Sequence, residues 1–364
     1  MREKKVGIIL DDDFGSKHIP PYPKPSFISF EHPFRITCIL NHLERIGLFK
    51  DNRVVKINPK EIDEAILELA HSKYHIDAIK KISEVGGGLL DEEVFVTHDT
   101  FDLAKKAVGG AIEAIVGVVK NRYTQSFALI RPPGHHAYRE KSSGLCIFNN
   151  IANSILYLRK KLGYTEKIAI IDIDDHFGDG IAQYFYHDPS VLYFSLHEFD
   201  FTEGDIGMFD ELGQDEGIGK NINFPVPSEI TNKDFEYCID FLDTVIYEFH
   251  PALIIVAAGF DMYYADPIGN CLLTSTAYNH FAAKILKIAE DLCEGRISFV
   301  LEGGYDVIGL PYCVESVLKA LLNEKYEAPV FEKDALLLGE SNIEDLKKIK
   351  NMLTKLLSPY WEHI

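Results

Sequence analysis

Residues 168–180 read IAIIDIDDHFGDG and join a run of apolar residues to a turn rich in aspartate and glycine. A short apolar run that ends at such a turn is typical of a strand covered on both faces of a sheet. The same pattern recurs at Val6–Leu10, Phe127–Ile130, Val191–Leu196, Leu253–Ala258 and Ile297–Leu301. The sequence therefore predicts a mainly parallel sheet with both faces buried.

Segments with helical periodicity separate these strands. They are Ala104–Val119, Ile151–Leu162, Phe235–Phe249, Tyr278–Leu292 and Pro311–Leu322. Alternation of strand and helix predicts a doubly wound α/β fold, with helices flanking the sheet. Because the chain shows no internal repeat and no low-complexity linker, we predict a single domain over residues 1–364. Residues 325–364 form its C-terminal extension, which ends in an amphipathic helix at Ile343–Leu357.

The composition narrows the class of partner. Asp and Glu number 56 against 37 Lys and Arg, giving a formal net charge of -19. Such acidity disfavours DNA or an anionic membrane as a partner and is compatible with a cationic substrate, although it also serves solubility alone. The six cysteines form no Cys-x-x-Cys pair, so neither a disulfide framework nor a thiolate zinc site is indicated. Without a signal peptide or a membrane-length apolar segment, the expected compartment is the cytoplasm.

Polar residues follow four of the predicted strands at the point where each strand ends. They are Arg131–His136, Asp172–Gly180, Gly259–Asp261 and Glu302–Asp306. In an open α/β sheet the ligand site lies beyond the carboxyl ends of the strands. We therefore expect these four segments to converge on one site.

Asp174 and His176 form a candidate metal pair. Residues two apart on an extended strand point to the same side, roughly 6.5–7 Å apart at Cα, so both side chains can reach one ion. Asp261 supplies a third ligand from another strand end. Three protein ligands leave one position for water or substrate, which is the pattern of a catalytic metal site. Asp172 also faces this side, either as a further ligand or as a carboxylate that orients a histidine.

His135 and His136 follow a Pro-Pro-Gly turn that can hold both side chains in one cavity. With carboxylate partners, one of them could act as a general base, whereas the alternative is a surface loop with two incidental histidines. Tyr305 follows two glycines and could donate its hydroxyl to a reacting carbonyl. Judged alone, it would be one packed tyrosine among 18.

Together these motifs resemble the histone deacetylase family, which includes acetylpolyamine amidohydrolase-like members and shares an arginase/deacetylase-like fold. Five elements match in order, at Arg131–Ala137, Gly144–Asn150, Asp172–Gly180, Ala258–Asp261 and Glu302–Asp306. Three upstream segments also look familial, at Glu31–Pro33, Leu90–Glu92 and Ala107–Gly110. The resemblance covers most of the chain and implies hydrolysis of an acetyl or other acyl amide, with acetylated protein lysine or an acetylated polyamine as substrate.

The resemblance also implies a role for each matched residue. Zinc, one ion per chain, would be bound by Asp174, His176 and Asp261. His136, oriented by Asp179, would be the general base; His135, paired with Asp172, would protonate the leaving amine; and Tyr305 would polarise the carbonyl. A structural monovalent cation, potassium, would be held by Asp172, Asp174, His176, Ser195 and Leu196. Substrate would be contacted by Asp91, Gly144, Leu145, Ile268, Gly303 and Gly304.

The sequence departs from the family pattern at three places. Leu145 stands where an aromatic residue is usual, Phe177 stands where a second histidine is common, and Phe199–Gly207 lacks the usual tunnel motif. Because of these departures, the sequence does not identify the substrate. It also does not identify the acyl length or the oligomeric state. Two alternatives are an arginase-like ureohydrolase with two manganese ions and a protein that binds acetyl-lysine without cleaving it.

Overall fold

A parallel sheet of eight strands forms the centre of the computed structural model, which describes residues 5–21, 29–204 and 206–364. The strand order is β2-β1-β5-β10-β9-β6-β7-β8, and every neighbouring pair is parallel. The strands are β1 (Val6–Ile9), β2 (Val54–Ile57), β5 (Gln125–Ala128), β6 (Ile168–Asp172), β7 (Val191–Glu198), β8 (Asn221–Val226), β9 (Leu253–Ala258) and β10 (Ile297–Leu301). A separate antiparallel ribbon pairs β3 (Gly87–Leu89) with β4 (Phe95–Thr97).

Within the residues that the structure describes, eleven α-helices flank the sheet. They are α1 (Phe34–Arg45), α2 (Glu64–Leu67), α3 (Lys73–Glu84), α4 (Thr100–Val119), α5 (Asn150–Leu162), α6 (Asp179–Phe185), α7 (Asn232–Ile239), α8 (Asp243–Phe249), α9 (Ser275–Cys293), α10 (Leu310–Leu321) and α11 (Ile343–Leu357). The α/β class and the mainly parallel sheet are therefore confirmed. None of the helices in the described part of the chain has the length and apolar character needed to cross a membrane.

Sheet order brings the four polar segments together. The strands that precede them, β5, β10, β9 and β6, are consecutive neighbours in the sheet. All side chains of β6, β9 and β10 are buried, as the continuous apolar runs of these strands predict. Because the strands are parallel, the residues that follow them share one edge of the sheet, where ligands bind in this class of fold.

Two strands of the main sheet, both strands of the small ribbon and one helix differ from the sequence prediction. The edge strands β2 and β8 were not predicted, since β2 is only partly buried and β8 carries two asparagines and Pro225. Proline is tolerated at a sheet edge, where its missing N–H faces no partner strand. The single helix predicted at Phe235–Phe249 is broken into α7 and α8 by a 3₁₀ turn at Asp240–Leu242.

The C-terminal helix α11 is observed over the predicted residues. Its buried side chains are those at helical spacing on one face, Leu346, Ile349, Leu353 and Leu357. Beyond it, the buried indole of Trp361 donates a hydrogen bond to the carbonyl of Gly219 at 2.9 Å. The end of the chain is therefore attached to the loop that precedes β8.

Candidate metal centre and active site

Asp174, His176 and Asp261 come together at the edge of β6 and β9. Their ligand atoms lie within 4.8 Å of one another. Nδ1 of His176 is 3.2 Å from Oδ1 of Asp174 and 3.2 Å from Oδ2 of Asp261. Two carboxylate oxygens and one imidazole nitrogen form a donor set that suits zinc and leaves a fourth position open. The chemistry of these residues therefore fits the predicted metal.

The electrostatics of this group are those of a cation site. Burial and the neighbouring charge of Asp174 together raise the pKa of Asp261 to about 6. The pKa of Asp174 is lowered, because His135 and His176 outweigh the effect of burial on this carboxylate. Two carboxylates this close repel each other unless a positive charge lies between them. A bound divalent cation would relieve that repulsion.

His136 lies beside this group and is held by Asp179. Its Nδ1 atom is 2.7 Å from Oδ1 of Asp179, which begins helix α6 and also accepts a hydrogen bond from the hydroxyl of Tyr138. Burial and the nearby charge of His135 lower the pKa of His136. The ring is therefore a neutral base near pH 7, with Nε2 as the nitrogen left to accept a proton.

His135 has the opposite character. Nδ1 of His135 is 3.4 Å from Oδ2 of Asp172, and Nε2 is 3.7 Å from Oδ1 of Asp174. The same Asp172 oxygen accepts a hydrogen bond from Tyr193 at 2.9 Å. Burial opposes protonation, but the two aspartates outweigh it and raise the pKa of His135 to about 10. Neighbouring histidines with pKa values displaced in opposite directions are suited to separate acid and base roles.

Tyr305 is presented by a loop that Arg35 anchors. The buried guanidinium of Arg35 donates to the carbonyls of Gly304 and Glu302, at 2.6 and 2.5 Å, and stacks 4.6 Å from the Tyr305 ring. The backbone N–H of Tyr305 donates to Asp266 at 2.6 Å. Burial raises the pKa of Tyr305 well above its usual value, so its hydroxyl remains a hydrogen-bond donor. The predicted residue is therefore fixed in position by residues that the sequence did not single out.

The predicted glycines allow close approach of the backbone to the polar groups. A Cβ atom on Gly144, which has φ +49°, would lie 2.3 Å from Cδ2 of His136. A Cβ atom on Gly303 would lie 2.3 Å from Oδ2 of Asp261, and its N–H donates to Asp174 at 2.8 Å. Gly304 adopts φ +104° against Phe260. Side chains at these positions would displace the groups that form the centre.

A small apolar cluster adjoins the centre. It contains Phe95, Leu145 and Tyr305, with Ile268 packed against it. The predicted residues Leu145 and Ile268 thus share one wall with the tyrosine, and Phe95 of β4 supplies an aromatic ring that the sequence analysis did not identify. Contact of Leu145 and Ile268 with a substrate stays a prediction.

A cavity of about 350 Å³ opens beside the histidines. It is lined by His136, His176, Asp179 and Gly144, and by residues of the loop that follows β7. Phe177, which stands where the family often has a histidine, also lines it. His136, Asp179 and His176 therefore face a space large enough for a small ligand, whereas His135 and Tyr305 are not among its lining residues.

The remaining predicted site residues have other partners in the structure. Asp91 accepts hydrogen bonds from the N–H groups of Glu93 and Val94 in its own loop, both at 2.8 Å. The hydroxyl of Ser195 lies 2.9 Å from Nδ1 of His197, and Leu196 is buried in β7. Potassium binding here, like substrate binding by Asp91, remains a prediction.

Buried Glu31 was quoted in the sequence motif without a role. Its carboxylate accepts hydrogen bonds from Arg131 at 2.6 and 2.8 Å and from Arg35 at 3.3 Å. All three side chains are fully buried. The network links the start of the histidine loop to the arginine that anchors Tyr305. Arg35 is four residues from Glu31, but Arg131 is 100 residues away, and a contact of that range gives no local sequence signal.

Comparison with known proteins decides the family. The sequence model of the histone deacetylase domain matches residues 29–321. The chain belongs to the histone deacetylase family. Membership supports a hydrolase that removes acetyl groups, and it places the deacetylase domain across most of the chain.

Relatives of this deacetylase differ in length and in the substrate class that their names give. A probable deacetylase of Archaeoglobus fulgidus is 34% identical over 98% of this chain and 99% of its own length. The polyamine deacetylase HDAC10 of Homo sapiens is 31% identical over 81% of this chain and 45% of its own. The histone deacetylase HDA1 of Candida albicans is 33% identical over 86% of this chain and 39% of its own. The chain thus spans less than half the length of these two eukaryotic relatives.

The fold of the deacetylase also matches a solved structure. The HDA15 HD domain superposes with a TM-score of 0.82 and 27% sequence identity, covering 98% of both chains. The arginase/deacetylase-like arrangement expected from the sequence is therefore confirmed.

Proposed function

We propose that this protein is a zinc-dependent deacetylase that hydrolyses the acyl amide of an acetylated amine, with residues 1–364 acting as a single domain. The observation that carries the proposal is the meeting of Asp174, His176 and Asp261 beside His136, whose Nδ1 atom is 2.7 Å from Asp179, and His135, whose Nδ1 atom faces Asp172. Zinc, when bound, would supply Lewis acidity toward the carbonyl oxygen and lower the pKa of water.

His136 acts as the general base. Because Asp179 accepts the Nδ1 hydrogen, Nε2 carries the lone pair and takes a proton from the water that attacks the carbonyl carbon. Asp179 holds the ring in this tautomer and stabilises the imidazolium that forms. Gly144 allows the ring to lie against the cavity wall.

His135 and Tyr305 complete the reaction. The Tyr305 hydroxyl donates a hydrogen bond to the carbonyl oxygen as negative charge develops there. His135, paired with Asp172, gives its proton to the leaving amine nitrogen as the carbon–nitrogen bond breaks. The products are a carboxylate and a free amine, and water restores both histidines through proton exchange.

A fluorogenic acetyl-lysine peptide and a monoacetylated polyamine test the activity. The zinc-loaded protein should turn over at least one of them, and His136→Ala should lose about 10²-fold or more in kcat. Metal analysis should find about one zinc per chain, which distinguishes this mechanism from a two-manganese ureohydrolase. A protein that binds the acetylated peptide but never releases acetate would contradict the proposal and support the binding-protein alternative.

The charge of the cavity favours a substrate that is itself cationic. Of its lining residues, Glu93, Glu198, Asp200 and Glu203 form no ion pair with any described lysine or arginine, and no lysine or arginine lines the cavity. A cleft lined by one sign of charge concentrates ligands of the opposite sign. Within the same function, we therefore propose an acetylated polyamine in preference to a neutral acetylated amine.

Neutralising two of these acidic residues tests whether charge selects a cationic substrate. The double variant Asp200→Asn and Glu203→Gln should lower kcat/KM for a monoacetylated polyamine by about tenfold, mostly through KM, because the lost attraction acts on binding. Glu216→Gln, an exposed acid that does not line the cavity, is the control. Equal losses with a neutral acetylated amine would show that charge does not select the substrate.

A further inference from the structure

A second group of potential metal ligands lies behind the histidine pair. His135, Cys146 and Glu302 each offer one ligand atom, and these three atoms lie within 4.8 Å of one another. The three residues are 3%, 0% and 0% exposed. Imidazole nitrogen, thiolate sulfur and carboxylate oxygen are the donors that zinc takes in proteins, and three of them leave one position free.

The carboxylate of Glu302 gives a second, independent indication that this group binds a ligand. Its Oε2 atom accepts hydrogen bonds from the backbone N–H groups of Gly134, at 2.6 Å, and His135, at 3.1 Å. Its Oε1 atom is buried and has no hydrogen-bond partner among the described residues. A buried carboxylate oxygen without a donor is costly, so such an atom calls for a partner outside the polypeptide. A cation between Oε1, the thiol and the imidazole would satisfy it.

We propose that His135, Cys146 and Glu302 form a second site for zinc or a similar borderline transition-metal ion. Binding forms bonds from the metal to one ring nitrogen of His135, to the Cys146 sulfur and to a Glu302 oxygen. The thiol proton, and any proton on that ring nitrogen, pass to solvent. The two sites are adjacent, since Nε2 of His135 is only 3.7 Å from Oδ1 of Asp174. Binding here must also remove the proton of a thiol whose pKa burial raises well above its usual value, and repulsion from an ion already at the first site adds to that cost, so the second site is the weaker one.

Occupation of this site inhibits the enzyme, a consequence that rests on the proposed role of His135. A metal-bound His135 nitrogen carries no proton for the leaving amine. The first equivalent of zinc therefore activates the protein, and excess zinc inhibits it. The existence of the site itself does not depend on the reaction.

Cobalt(II) titration of the metal-free protein tests the site without an activity assay. The Asp174, His176 and Asp261 group contains no sulfur, so the first equivalent should give d–d bands alone. The second equivalent should add a near-ultraviolet thiolate-to-cobalt charge-transfer band, because thiolate is the soft ligand of the second site. Cys146→Ser should abolish this band, whereas Cys313→Ser, a buried cysteine of α10, should keep it.

Another sulfur-containing group provides the decisive comparison. Asp175, Glu198 and Cys271 also bring their ligand atoms within 4.8 Å. A band that survives Cys146→Ser and disappears in Cys271→Ser would overturn the proposal, as would the absence of any thiolate band at excess cobalt. The d–d bands of the first equivalent report that each variant is folded. Their absence from the wild type would instead count against the proposed function.

Two further measurements complete the test. Glu302→Gln keeps an amide oxygen for the two backbone donors but should weaken binding of the second equivalent by about tenfold or more. The ratio of activity at excess zinc to activity at one equivalent should be about tenfold higher in Cys146→Ser than in the wild type. An unchanged ratio would show that excess zinc inhibits elsewhere.

Discussion

Nδ1 of His136 lies 2.7 Å from Oδ1 of Asp179. A carboxylate can only accept, so the shared hydrogen belongs to Nδ1 and the second nitrogen of the ring is unprotonated. The pKa of Asp179 is lowered, since its hydrogen bond with His136 outweighs the effect of burial. The pair is therefore an ionised acid holding a neutral base.

Substitution of Asp179→Asn should lower kcat by about 10²-fold with little change in KM, because an amide no longer fixes the tautomer or stabilises the imidazolium. Steady-state kinetics on whichever acetylated substrate is turned over provides the measurement. Tyr138→Phe, which removes only the second hydrogen bond to Asp179, should cost less. Wild-type kcat in Asp179→Asn would show that His136 does not need this partner.

The pH dependence of kcat/KM should be bell-shaped. His136 must be unprotonated to accept a proton, so activity falls on the acid side through a pKa lowered from 6.5. His135 must be protonated to donate, so activity falls on the basic side as this ring loses its proton, a loss that the carboxylate of Asp172, 3.4 Å from Nδ1, opposes. Rate profiles of the zinc-loaded enzyme check both limbs. Loss of activity at neutral pH with recovery at low pH would reverse the assignment of the two histidines.

Alanine at Gly144 should separate catalysis from stability. Gly144 and Gly163 both have positive φ, at +49° and +66°, so alanine at either position costs about 1 kcal/mol of stability. Only Gly144 has a neighbour that the new methyl group would strike, the His136 ring, whereas Gly163 has open space. Gly144→Ala should therefore lose about 10²-fold in kcat. Equal activity in the two variants would show that the ring tolerates displacement.

Substitution of Glu31→Gln should lower the free energy of unfolding by about 3–5 kcal/mol, because it leaves Arg35 and Arg131 buried without their counter-charge. Urea denaturation measures the change. Glu344→Gln, in an exposed pair with Lys347, is the matched control and should change stability by less than about 1 kcal/mol. A small effect at Glu31 would mean that water or rearrangement replaces the carboxylate.

The chemistry of the site could be predicted because it follows local rules. Apolar runs identified β6, β9 and β10, and the residues just after each strand had to share one edge of a parallel sheet. Asp174 and His176 do bring two donors together, but they lie beyond the end of β6 at Asp172, so the alternation of an extended strand is not what places them. The convergence of these two with Asp261 was a consequence of topology that the strand-helix alternation already indicated.

The residues that support the site could not be predicted in the same way. Arg35 acts on a loop 269 positions further along the chain, and Glu31 meets Arg131 across 100 positions. No periodicity or spacing encodes contacts of that range. Phe95 was not identified because it lies on a strand of three residues, which is too short to show the alternation of apolar and polar residues.

The contact from Arg35 to the carbonyl of Gly304 also has a consequence for biosynthesis. A ribosome releases the N-terminal helix long before the last central strand, and β10 enters the sheet between β5 and β9, which are both made earlier. Non-local pairing of this kind slows folding, since distant parts of the chain must meet before they stabilise each other. A nascent polypeptide therefore completes the active site only after β10 and the Tyr305 loop that follows it have been synthesised.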